Sequence, residues 1–173
     1  MPRKLKFSPY SGDRNQVVQT PPEFYSNLND LVSLEGGFQF DPCPVEPDFD
    51  GLEIEWKDGS FVNPPYNDLC SWFRKGLQEA KLGHRSVFLV PFRPQNAYFA
   101  DLIFHRSPSS EELVRLILIH GKIKFVSFNA AFPELCVILS FFSSQTKDLL
   151  EGIYCITNKG LKCNRTKKNE FFL

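Results

Sequence analysis

Ser60-Phe61-Val62-Asn63-Pro64-Pro65-Tyr66-Asn67-Asp68 is the stretch on which the reading of this chain turns. Ser60 to Val62 have strand character and run into a turn stiffened by two prolines. Asn67-Asp68 then offers helix-capping side chains ahead of an apolar-periodic run that begins at Leu69. The stretch predicts strand, rigid loop, helix. Neither Pro64 nor Pro65 carries a backbone N–H, and each pushes the residue before it into extended conformation. The loop therefore presents mainly acceptors and a ring: the Asn63 amide, the Asn63 and Pro64 carbonyls, and the face of Tyr66.

Such a surface suits a flat ring that carries an amino group, as a nucleobase does: two N–H donors on a planar π-system. An aromatic amine is a poor nucleophile because its lone pair is spread into the ring. Two acceptors gripping its hydrogens favour the tetrahedral, more reactive nitrogen, and their effect grows as positive charge develops there during methyl transfer. The same string also serves as an ordinary Asn-Pro connection between strand and helix. Its surroundings decide between the two.

At 173 residues the chain is long enough for one domain with a sizeable core, and its 18 Phe make that core aromatic. No run approaches the roughly 20 apolar residues of a membrane span. Met1 to Lys6 lack the apolar segment of a signal peptide, so a soluble, intracellular protein is expected. Five dispersed Cys without a Cys-x-x-Cys pair, and three His, argue against a disulfide framework and against a metal site. The net charge is zero, but residues 30–58 hold nine acids against Lys57 while residues 72–125 hold nine bases against four acids. That asymmetry fits a mixed solvated surface, or a basic groove for a polyanion beside an acidic pocket for a cationic ligand.

In chain order, residues 1–18 read as a polar, basic arm. Thr20-Pro21-Pro22-Glu23 opens a helix with Thr20 as N-cap and Glu23 completing a capping box, and Gly36-Gly37 closes it. Phe38 to Asp41 form a short strand whose end delivers Asp41 where ligands bind in open α/β sheets. Residues 44–59 read as an acidic loop over the pocket, anchored by Trp56. A helix from Leu69 to Leu82 follows, then a buried strand, Val87 to Val90, that carries Arg93 just beyond its end. A helix over residues 96–104 comes next, then strands over 116–119 and 123–126 joined as a hairpin or bulge. A strong strand over 136–142 and an edge strand over 153–157 end the domain, and residues 158–173 form a basic tail. Alternating strands and helices predict an α/β fold with a mostly parallel central sheet and helices on both faces.

The order Thr20-Pro21, Asp41-Pro42, Asp50-Gly51-Leu52, Trp56, Asn63-Pro64-Pro65-Tyr66, Leu89-Val90-Pro91 with Arg93, Gly121 to Phe125 and Phe132-Pro133 resembles the phage-type DNA adenine-N6 methyltransferase (Dam) family over residues 19–142. The resemblance implies an abbreviated Rossmann-like class I methyltransferase fold over residues 19–157. It also implies S-adenosylmethionine as methyl donor, no metal, and double-stranded DNA with an adenine flipped out of the stack. Carried over by position, Asn63 and the Pro64 carbonyl would hold the adenine amino group, Pro65 would brace the loop and Tyr66 would stack on the ring. Thr20, Pro21, Asp41, Pro42 and Asp50 would border the cofactor, and Arg93 and Lys124 would contact substrate. Two departures stand out: Asp41-Pro42-Cys43-Pro44 contains no glycine, and 21 residues between Asp41 and Asn63 are too few for a strand with two crossover helices. The residues leave room for two other readings, a non-catalytic nucleic-acid-binding partner of the same fold, and transfer to cytosine N4, an RNA base or a protein glutamine.

Overall fold

The computed structural model describes residues 18–32, 36–96, 99, 112–126, 135–142 and 154–157. Helix α1 spans Pro22–Val32, strand β1 Ser60–Val62, helix α2 Leu69–Lys81, and strands β2 Ser86–Pro91, β3 Glu112–His120, β4 Leu135–Phe142 and β5 Tyr154–Thr157. The strands form one sheet in the order β1-β2-β4-β3-β5. β1 pairs parallel with β2 and β3 parallel with β5, while β4 lies antiparallel between β2 and β3. Every strand but β4 therefore points the same way. The chain is α/β with a mixed sheet: two of its four strand pairings are parallel and two antiparallel, so the mostly parallel sheet expected from the sequence is corrected to a mixed one, with β4 inserted antiparallel between β2 and β3.

Side-chain alternation along the central strands sorts the core into two layers. Phe61, Val87, Leu89 and Ile117 pack on one face with Phe24, Leu28 and Val32 of α1. Val62, Phe88 and Val90 pack on the other with Leu69, Trp72 and Phe73 of α2 and with Trp56. Among the described residues one helix covers each face, because each carries its apolar residues at three- and four-residue spacing toward the strands. Trp56, fully buried, stacks on Trp72 with ring centroids 6.1 Å apart and donates its indole N–H to the Gly51 carbonyl at 2.7 Å. It anchors residues 44–59 as the sequence suggests.

Several local expectations shift. The first intrahelical bond of α1 runs from Tyr25 N–H to the Pro21 carbonyl, 2.9 Å, so Pro21 occupies the N-cap position and Thr20 lies one residue outside the helix. The capping box centred on Thr20 is corrected accordingly: Pro22 takes the first helical position, and Thr20 keeps its hydroxyl for another partner. Residues 38–41 contribute a single parallel bridge, Phe40 to Ser60, rather than a strand. Phe38 N–H turns instead to the Asn29 side chain, 2.7 Å away. Ile123–Phe125 form no named strand, and no hairpin joins them to residues 116–119. Ile123 and Phe125 bury in the α1-side core, and β3 runs longer than expected and finds its partners in β4 and β5. Of the helix expected over 96–104, Phe99 is described, and it is buried. The rest of that helix beyond Asn96, the arm before Val18 and the tail from residue 158 lie outside the described residues.

Candidate active site

Asp41 and Asn63 leave two neighbouring parallel stretches at the same end of the sheet. Phe61 N–H donates to the Phe40 carbonyl at 2.9 Å, which aligns the two, and each site residue follows immediately on its extended segment. Arg93 follows β2 two residues beyond Pro91, so the three strand ends expected to converge do face one edge. This is the edge at which α/β sheets bind ligands.

Asn63 is 6% exposed. Its side-chain N–H2 donates to the Val18 carbonyl at 2.6 Å and to Thr20 Oγ1 at 3.3 Å, and its Oδ1 accepts from the Tyr66 hydroxyl at 3.3 Å. Pro64 and Pro65 are buried behind it. Tyr66 is half-buried, with its ring against residues of both core layers. The Asp68 carbonyl opens α2, but the Asp68 side chain caps no helical N–H and instead accepts from the Ser71 hydroxyl at 2.8 Å.

Two cavities flank this loop. One, about 330 Å³, is lined by Thr20, Tyr25, Asp41, Cys43, Phe61 and Asn63 among others. The second, about 420 Å³, is lined by Pro42, Asp50, Leu52, Pro65, Asp68 and Trp72 among others. Cys43 and Val45 line both, so the turn after Asp41 is their common wall. Both volumes fall within the ordinary range for small-ligand sites, roughly 300–1,000 Å³. Of the residues expected from the sequence, Thr20, Asp41 and Asn63 share the first cavity, and Pro42, Asp50 and Pro65 line the second. Pro21, Pro64, Tyr66, Arg93 and Lys124 line neither. Lys124 is exposed, two residues before Val126, whose N–H donates to the Gln19 carbonyl at 3.2 Å.

The electrostatics of the shared wall follow from its burial. The Asp41 carboxyl is pushed above the ordinary carboxylate range by desolvation in the cleft, against the pull of the Cys43 N–H that its Oδ1 accepts at 2.8 Å. The residue as a whole remains exposed. Burial, then the nearby Asp41 and Asp50 charges, raise the Cys43 thiol to about 12, which keeps it protonated and unreactive. Desolvation and the Asp41 charge likewise hold the Tyr25 hydroxyl above its usual range. Among the described residues no cluster of His, Cys, Asp and Glu has the makings of a metal site.

Gly51 explains how the second cavity keeps its form. A Cβ on it would come within 1.9 Å of the Pro42 carbonyl oxygen and 2.9 Å of the Trp72 ring. The Asp50-Gly51 turn is packed directly on the turn after Asp41, and Asp50 Oδ1 accepts the Leu52 N–H at 2.9 Å to hold it there.

Val18, Tyr25 and Cys43 are site residues that the sequence does not single out. Val18 contributes only a carbonyl, which no residue identity announces, and it falls at the end of the stretch read as an arm. Tyr25 lies in the first turns of α1 among apolar residues, where nothing in the sequence marks it as facing a cavity. Compared with protein-family models, with curated proteins and with solved structures, the chain finds no match. No helix among the described residues is long and apolar enough to cross a membrane.

Proposed function

We propose that this protein is an S-adenosylmethionine-dependent methyltransferase of Rossmann-like class I architecture that acts on the N6 amino group of adenine in DNA. The observation that carries the reading is the first cavity: an acceptor amide at the end of β1 and a carboxylate at the end of the adjacent parallel segment line one space. The proline-braced loop holds Asn63 with little freedom to move, as charge stabilisation at a reacting nitrogen requires.

The residues fit the chemical groups of the donor. Asp41 brings a carboxylate to the first cavity, suited to a cationic methionine-like portion, while Thr20, in the same wall, gives its hydroxyl to Asn63. The second cavity pairs Asp50 and Asp68 with the apolar Leu52, Pro65 and Trp72, suited to a ribose and a flat purine ring. When bound, S-adenosylmethionine supplies a methyl group on a positively charged sulfur. The protein's own part is to orient and to exclude water. In this reading Asn63 Oδ1 would accept one hydrogen of the adenine amino group from the wall of the first cavity and so localise the nitrogen lone pair, while the Pro64 carbonyl, which lines neither cavity, is the second acceptor only as the resemblance implies it. Tyr66, whose ring packs against both core layers and lines neither cavity, supports Asn63 through its hydroxyl. The carbonyl of an amide has two lone pairs, so Oδ1 can accept from the substrate while it keeps the Tyr66 hydroxyl. The positive charge that develops on the nitrogen strengthens both contacts in the transition state. Arg93 and Lys124, at the open edge, contribute to binding double-stranded DNA.

The test is mass spectrometry of nucleosides from cells that express the chain, together with incubation of purified protein, labelled donor and duplex DNA, RNA or protein. N6-methyladenine in DNA is expected, and Asn63→Ala removes it with donor affinity unchanged by calorimetry. Label in cytosine, in RNA or in protein glutamine would replace the substrate assignment. Neither transfer nor donor binding would make the chain a non-catalytic partner of the same fold. Turnover by Asn63→Ala equal to that of the parent would remove the site.

A further inference from the structure

The Asn63 amide has two ends of similar shape, and only one of them is useful to a substrate amine. Its N–H2 end meets two acceptors, the Val18 carbonyl at 2.6 Å and Thr20 Oγ1 at 3.3 Å. A carbonyl oxygen cannot donate. Turning the amide over would set Oδ1 against the Val18 carbonyl at a distance that repels, and would leave the N–H2 facing the Tyr66 hydroxyl. In the flipped state the loop would offer donors to an amine that is itself a donor. Asn63 is buried, so no solvent relieves the mismatch.

We infer, building on the reading above, that the Val18 carbonyl sets the polarity of the Asn63 amide and that Thr20, whose hydroxyl takes the amide's second N–H, is the positioning residue that holds the amide in that plane. Thr20 stands outside α1, one residue before the N-cap, which leaves its hydroxyl to Asn63 instead of the helix. The segment that bears it is tied at Gln19 to Val126, so it is held from the far side as well as by Asn63. Because Val18 contributes backbone, Thr20 is the one member of the pair that substitution can remove.

The experiment uses the full chain with Thr20→Val, which keeps shape and loses the acceptor, and Thr20→Ser, which restores it. Side-chain amide resonances of Asn63, assigned by their absence in Asn63→Ala, are followed by NMR, and donor affinity and turnover are measured alongside. In Thr20→Val one Asn63 amide proton shifts and exchanges faster, kcat falls roughly three- to tenfold as expected for one lost neutral hydrogen bond, and donor Kd stays within twofold. Thr20→Ser returns all three to the parent values. Unmoved Asn63 resonances in Thr20→Val overturn the inference. So does a raised donor Kd with kcat preserved, which would make Thr20 a donor-binding group only. If the parent methylates nothing, the proposed function fails, and the resonances alone still decide the role of Thr20.

Discussion

Asn63→Asp separates two accounts of the loop that Asn63→Ala cannot. If the loop needed only oxygen acceptors, aspartate would serve as well as asparagine or better. If amide polarity matters, aspartate places an oxygen where Nδ2 now donates to Val18 across 2.6 Å. The Thr20 hydroxyl can rotate and donate to the new oxygen, so that contact survives. The Val18 carbonyl cannot, and a buried acceptor left without its donor costs about 1–3 kcal/mol. Ionisation adds to this. A carboxylate at a site only 6% exposed, with a carbonyl against it, has its pKa raised by desolvation, and each unit of rise costs the charged form about 1.4 kcal/mol. With a rise of about two units the variant loses roughly 4–6 kcal/mol at pH 7, a large share of a typical domain's stability.

The sign of the pH dependence is fixed by the same argument. The folded pKa lies above the unfolded value of about 3.9, so between the two the native state holds the extra proton and the variant's stability falls as pH rises. Below that window the neutral acid donates its O–H to Val18 much as the amide does, and the gap from the parent closes. Urea unfolding of parent and variant from pH 4 to 8 measures this directly. A gap independent of pH, or none at pH 7, would refute the amide orientation and the inference drawn from it. Methylation should fall in Asn63→Asp at neutral pH despite the additional acceptor.

Two further outcomes follow from the cavity walls. Gly51→Ala must displace either the Pro42 carbonyl or Trp72, and a backbone oxygen at 1.9 Å cannot yield cheaply. We expect a loss of at least about 1–3 kcal/mol, a Tm lower by several degrees, and weaker donor binding, and a melting curve superimposable on the parent's would contradict this packing. The raised pKa of Asp41 means that its charge is lost at a higher pH than for an ordinary carboxylate. Donor affinity should therefore decline as pH falls toward and through that value, and Asp41→Asn should be weaker but flat across the range. Calorimetry from pH 4 to 7 compares the two slopes.

What could be read from the chain beforehand is what local physics controls. The two prolines after Asn63, the apolar run of Val87 to Val90 and the spacing of Leu69, Trp72 and Phe73 each act within a few residues, and β1, β2 and α2 formed where those signals lie. The misread elements are those settled at long range. Phe38 to Asp41 alternate like a strand, yet Asn29 takes the Phe38 N–H and only Phe40 reaches the sheet. Ile123 and Phe125 alternate too, but they join Ile117, Ile119 and α1 in one core layer without forming a strand, while the strands that pair with β3 lie beyond residue 134. Thr20 was a cap by rule, and the Pro-Pro step moved the helix start past it.

The candidate site shows the same division at finer scale. Side chains with conspicuous chemistry, Asp41, Asn63 and Asp50, announce themselves, and each lines one of the two cavities. What makes Asn63 usable is a carbonyl 45 residues away in the chain. Any residue but proline carries the same carbonyl and N–H, so no composition or spacing marks Val18 as the group that matters. The orientation of an amide is a property of the contact and not of either residue. For that reason the identity of the acceptor could be argued from Asn63 and its prolines, while its direction required the fold.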